Sequence, residues 1–120
     1  MADRVLFIGW TMPIPGREER AVEVFNEAMG LYGRLQQEGR IESFDATLLE
    51  PNDGLDGYIQ LHGSPEQINA LKLDEDFRRS LADAMLAVDG IRTIEGFTNA
   101  AVAREMARYQ EAIAKVPQSA

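Results

Sequence analysis

The sequence predicts an α+β domain ordered strand, helix, strand, strand, helix, strand, with one further helix at the C-terminal end. Three observations carry this. Val5 to Thr11 is a short apolar run bounded by breakers, the length of a strand. A long stripe of apolar residues at three- and four-residue spacing follows it. Two alternating runs then flank Pro51-Asn52-Asp53-Gly54, a group of strong turn formers that reads as a hairpin loop.

The elements follow in order. In the first strand Leu6, Ile8 and Trp10 share one face, and Val5, Phe7 and Gly9 share the other. Both faces lack charge, so both are expected to be covered. Met12-Pro13-Ile14-Pro15-Gly16 is a breaker-rich link into a helix over 17–37. Glu18 and Glu19 suit the positive end of its dipole. Val22, Phe25, Met29, Tyr32 and Leu35 form its expected buried stripe, and Gly39 is a natural stop. The second strand, 41–50, returns through the hairpin as the third, 55–62. Ser64-Pro65-Glu66-Gln67 is a helix start with a capping box. A short helix to about 72 should bury Ile68 and Leu71. Asp74-Glu75-Asp76 opens a second piece to about 87, burying Phe77, Leu81 and Met85. The fourth strand covers 90–98. Asn99 is expected to cap a last helix over 100–115, with Val102, Met106, Tyr109 and Ile113 on one stripe that must rest on the domain or a neighbour.

At 120 residues and 13.4 kDa the chain, 1–120, is expected to form a single domain, with a core over about 4–98 and the last helix appended. Its net charge is −8 and its pI near 4.6, so phosphate backbones and anionic membranes are excluded as partners. There is no cysteine, which removes disulfides, thiolate metal sites and Cys nucleophiles. With no cleavable leader or membrane-length apolar run evident, the expected location is the cytoplasm.

The strand order is the split βαβ of ferredoxin-like folds. The broken helix beginning Ser64-Pro65-Glu66 before Asp76-Phe77-Arg78 narrows the match. So does a last strand that begins near Val88-Asp89-Gly90 and ends at Glu95-Gly96-Phe97. Together these resemble the dimeric α/β-barrel superfamily. The resemblance implies a homodimer whose two sheets face each other around a barrel, with helices outside. It also brings a range of relatives: cofactor-free monooxygenases, haem degraders, muconolactone isomerases, mutarotases and EthD-like proteins. The haem degraders place a ligating His on the helix after the third strand. His62 here precedes Ser64-Pro65, so that chemistry does not carry over, and no bound cofactor is expected.

The third strand holds the candidate site. Ile59 and Leu61 alternate with Tyr58, Gln60 and His62, so the three polar groups share a face. His62 is the only histidine, the residue type whose unperturbed pKa lies near neutrality, which makes it the candidate acid-base group; the plainer reading is a hydrogen-bonded structural His. Tyr58 and Gln60 are candidates for holding a ligand or, equally, for a satisfied interface network. Trp10 could stack on a planar ligand or simply fill the core. Arg92 could bind a carboxylate or be a solvated edge residue. Asp74, Glu75 and Asp76 diverge around a helix start, and no metal site is expected. Two functions stay open: a homodimeric barrel holding a small organic ligand, as a monooxygenase- or isomerase-like enzyme would, or a non-catalytic module with a side-chain-filled barrel.

Overall fold

The computed structural model describes residues 2–119. Strand β1 (Arg4–Trp10) leads through a short β2 (Met12–Pro13) into helix α1 (Glu18–Gln37). Strands β3 (Ser43–Leu48) and β4 (Gly57–Gly63) form the hairpin. Helices α2 (Pro65–Leu73) and α3 (Glu75–Met85), a short β5 (Val88–Asp89), β6 (Arg92–Phe97) and α4 (Ala100–Ile113) complete the chain. The main sheet has the order β3-β4-β1-β6 with every neighbouring pair antiparallel, as the predicted fold class requires.

Leu6, Ile8, Ile59 and Leu61 point to one face of the sheet and meet Ala28, Tyr32 and Leu35 of α1, Ile68 and Leu71 of α2 and Phe77 of α3. This is the core. The buried stripe of α1 is Val24, Ala28, Tyr32 and Leu35, with Phe25 and Met29 half-buried and Val22 exposed. Val22 lies about 120° around the helix from the centre of that stripe, so the expected burial of Val22 is wrong by a third of a turn. The helix ends as expected. Gly39 (φ 73°) donates to the Gln36 carbonyl, and Arg40 donates to the Leu35 carbonyl, the two bonds of a Schellman motif.

The capping box is present. The Gln67 amide donates to Ser64 Oγ at 3.1 Å, and the Ser64 amide donates to Gln67 Oε1 at 2.8 Å. Asp74 breaks the crossover in two: it ends α2 and caps α3, accepting from the Phe77 amide at 2.9 Å. Helix α3 stops at Met85, two residues earlier than expected, and Met85 is exposed. The reason is the β2–β5 pair, which joins the breaker-rich link at Met12–Pro13 to Val88–Asp89, where the last strand is expected to begin. Ile14 donates to the Ala87 carbonyl and Thr11 to the Asp89 carbonyl, each at 2.9 Å, pulling the chain out of the helix. Gly90 (φ 66°) follows, where a Cβ would sit 2.1 Å from Thr11 Oγ1. No other residue fits there.

The last helix departs most from expectation. Asn99 does not cap it: the residue sits at φ 53°, ψ −130°, and its side-chain amide donates to the Ala2 carbonyl instead. Only Ala101 of α4 is buried. Arg104 reaches back to Asp3 at 2.6 Å, while Val102, Met106, Tyr109 and Ile113 are 37–61% exposed. The chain's radius of gyration is 17.1 Å, against about 14 Å for a compact chain of this length, and its longest dimension is 53 Å. The helix stands off the domain.

Candidate functional site

The sheet has two working faces, and the strand registers assign each side chain to one of them. Val5 lies opposite His62, Phe7 opposite Gln60 and Gly9 opposite Tyr58; on the other flank of β1, Phe7 lies opposite Ile94 and Gly9 opposite Arg92. All of these point away from the core. On this open face Phe7, Tyr58, Gln60 and His62 are half-buried, whereas Arg92 and Ile94 are exposed.

His62 has a partner. Its Nε2 lies 3.1 Å from Oδ2 of Asp45, a residue of β3 one step diagonal across the hairpin. Alternation along the strand places Asp45 on the face opposite Phe44 and Ala46, but joining it to His62 needs the hairpin register, which a loop over 49–56 does not dictate. A carboxylate on one ring nitrogen holds an imidazole in one orientation. At the other end of the face, Phe7 and Tyr58 stack with centroids 5.2 Å apart. Gly9 makes room for them, since a Cβ there would come within 2.7 Å of the Phe7 ring. Arg92 spends its guanidinium locally, donating to the Gly54 carbonyl at 2.6 Å and to Thr11 Oγ1 at 3.2 Å. It fastens the hairpin loop to the end of β1. It stands opposite Gly9 and His62 opposite Val5, about 13 Å apart along β1, so the two cannot grip one small ligand.

Trp10 lies elsewhere. It points to the helix face, packs edge-on against Phe25 at 6.0 Å and lines a cavity of about 370 Å³ between the sheet, α1 and α3. Trp10, Phe25, Tyr32, Ile59, Leu81 and Ile91 make its walls, and Leu48 and Val22 stand at its edge. This cavity was not foreseen. Its signal was the alternation that puts Trp10 with Leu6 and Ile8, joined to small Ala21, Ala28 and Ala84 on the facing helices. Few polar groups enter it. Burial pushes the Tyr32 hydroxyl up to about 12, with Ser80 pulling part of the way back, so Tyr32 is a neutral phenol and no base at physiological pH. Glu18 is already occupied, accepting from the Gly16 amide at 2.8 and 3.0 Å.

The five candidates therefore divide. Tyr58, Gln60 and His62 share the open face, Arg92 sits at its far end as a loop clamp, and Trp10 serves the opposite side. Among the described residues no three acidic or histidine side chains converge as a metal site needs, and no helix is long and apolar enough to cross a membrane.

Solved structures share this architecture. A dimeric ferredoxin-like protein of unknown function from Bacteroides fragilis superposes with a TM-score of 0.60 at 9% identity, covering 79% of this chain and 96% of its own. A second, from Jannaschia, gives 0.60 at 13%, covering 78% and 97%. The fold is ferredoxin-like. SnoaB, a cofactor-independent oxygenase from Streptomyces nogalater, matches with 0.50 at 16%, over 82% and 93% of the two chains. In the first two pairs, the fifth of this chain left unmatched is about the size of α4 and the residues after it. The sequence matches no protein-family model and no curated protein closely enough to count as its relative.

Proposed function

We propose that the chain acts as a homodimer, joined through the open sheet faces, in which each subunit holds a small, planar, largely apolar organic molecule. The cavity beside Trp10 carries this reading. Its 370 Å³ lie in the range of small-molecule sites, its walls are mostly aromatic and aliphatic, and its polar groups are the neutral Tyr32 and Ser80 hydroxyls, Glu18, which is engaged by the Gly16 amide, and Asp56. Joining the sheets would cover Phe7, Tyr58 and Ile94, which otherwise leave apolar surface in water. The aromatic walls favour an aromatic ligand, and the likeness to a cofactor-independent oxygenase favours, where turnover follows binding, chemistry without a bound cofactor. A second reading rests on the His62–Asp45 pair, an oriented imidazole that would act as acid-base group toward a ligand between the two sheets.

Trp10 is the only tryptophan, so its fluorescence reports on the cavity alone. We expect phenols and quinones of two or three fused rings to quench it saturably and to raise the melting temperature, with the rise in melting temperature lost in Trp10→Ala and both effects kept in His62→Ala. A ligand that stabilises the protein, leaves Trp10 emission unchanged and depends on His62 overturns the cavity in favour of the barrel. Failure of every such compound leaves the non-catalytic module standing.

A further inference from the structure

Helix α4 exposes an apolar stripe that its own domain does not use. Val102, Met106, Tyr109 and Ile113 lie within about 60° of one another around the helix axis. The contacts that tether α4, through buried Ala101 and the Arg104–Asp3 pair, lie more than 90° around the helix from the centre of that row. Turning the helix to bury the stripe would break the tether. The stripe is therefore presented outward by the way the helix is attached.

We propose that α4 is an arm that lies along β3 of a second copy, its stripe covering the apolar side chains there and closing the side of that copy's cavity. This rests on the reading of the chain as a homodimer joined through its open sheet faces. With the two-fold axis of such a dimer along the strands, β3 is the first surface the arm meets. The outer strands of the sheet are β3 and β6. Two sheets stacked about a two-fold axis along the strands bring β6 of one copy beside β3 of the other. Phe97 pairs with Arg4, Arg4 with Gly63, and Ser43 with His62, so the root of α4 comes level with the start of the other copy's β3.

The two surfaces also fit in size and kind. The stripe from Val102 to Ile113 runs about 17 Å, and six-residue β3 about the same. On the helix-facing side of β3, Ala46 is exposed and Leu48 is 71% exposed beside the cavity. Charge favours the approach: residues 100–120 carry three basic and two acidic side chains in a chain whose net charge is −8. Seated this way, Tyr109 and Ile113 of one copy reach the Leu48 end of the other, and the Tyr109 hydroxyl becomes a polar group at an apolar cavity.

Photo-crosslinking tests the arm on the full chain. A benzophenone amino acid replaces Met106 in one variant and Ala107, on the other side of the helix, in a second. We expect light scattering to give a dimer for both. Irradiation of the first should yield covalent dimer several-fold above the second, with adducts on residues 41–50 of the other copy. A monomer in scattering removes the homodimer reading and the arm with it. A dimer whose position-106 adducts stay within one chain, or fall elsewhere on the partner, overturns the arm alone and leaves the dimer intact.

Discussion

Asp74 joins two helices, and its ionisation matters to both. The Arg40 guanidinium donates to its carboxylate, and with the Phe77 amide holds it below the usual carboxylate range against the opposing cost of burial. A depressed folded value means the charged form is favoured by folding. The contribution is complete above the unfolded value of about 3.9 and is lost as pH falls from there through the lower folded value. Asp74→Ala should cost about 1 kcal/mol through loss of the α3 cap, read from urea unfolding near neutrality. Asp74→Asn keeps a capping oxygen, so it should lose less at pH 7 and show a flatter stability profile below pH 4. Equal losses in the two variants would assign the effect to the ion pair instead. Asp74 was legible in the sequence as a helix start. Its pairing with Arg40, thirty-four residues away, was not, because nothing local encodes it.

Elements were read best where their ends carry chemistry of their own. The capping box at Ser64 and the stop at Gly39 are local, and both formed where the residues placed them. Gly39→Ala should cost about 1 kcal/mol, because alanine resists the φ of 73° that the Schellman motif needs; a change below 0.3 kcal/mol in urea unfolding would mean that the helix end relaxes freely. Readings failed where a distant strand intervened. The end of α3 is decided by β2, whose partner lies over seventy residues away, and the buried face of α1, which keeps Tyr32 and Leu35, turns toward Val24 and Ala28 and leaves Val22 in water. The candidate site divides the same way. That Tyr58, Gln60 and His62 share a face follows from strand geometry alone. That Trp10 opens on a cavity depends on the spacing of two helices, which no sequence pattern measures.

At the scale of the whole molecule, surface is the unsettled quantity. An acidic 13.4 kDa chain that leaves Phe7, Ile94 and the α4 stripe in water exposes more contiguous apolar surface than a lone small domain usually does. Pairing the sheets accounts for the first two residues and the arm for the third, so one assembly answers both. Each copy would then give a helix and receive one, and the cavity of either subunit would be finished by a residue it does not encode in its own core.

The root of that helix gives the arrangement a measurable signature. Asn99 holds a backbone conformation that side-chain-bearing residues avoid, at a cost of order 1–3 kcal/mol, and beside it Asp3 Oδ1, Arg4 Nε and Thr98 Oγ1 are buried with no hydrogen-bond partner among the described residues. If α4 is the proposed arm, a joint of this kind would aim it: local discomfort is tolerated so that the next segment leaves at a fixed angle. Glycine would relieve the discomfort and release the aim. Asn99→Gly should therefore raise the unfolding free energy of the separate chain, by up to about 1 kcal/mol, while dilution experiments show its dimer dissociating at higher concentration than the wild type. Opposite signs for the folded chain and for its assembly are the mark of a pointing residue; a merely structural one would move both together.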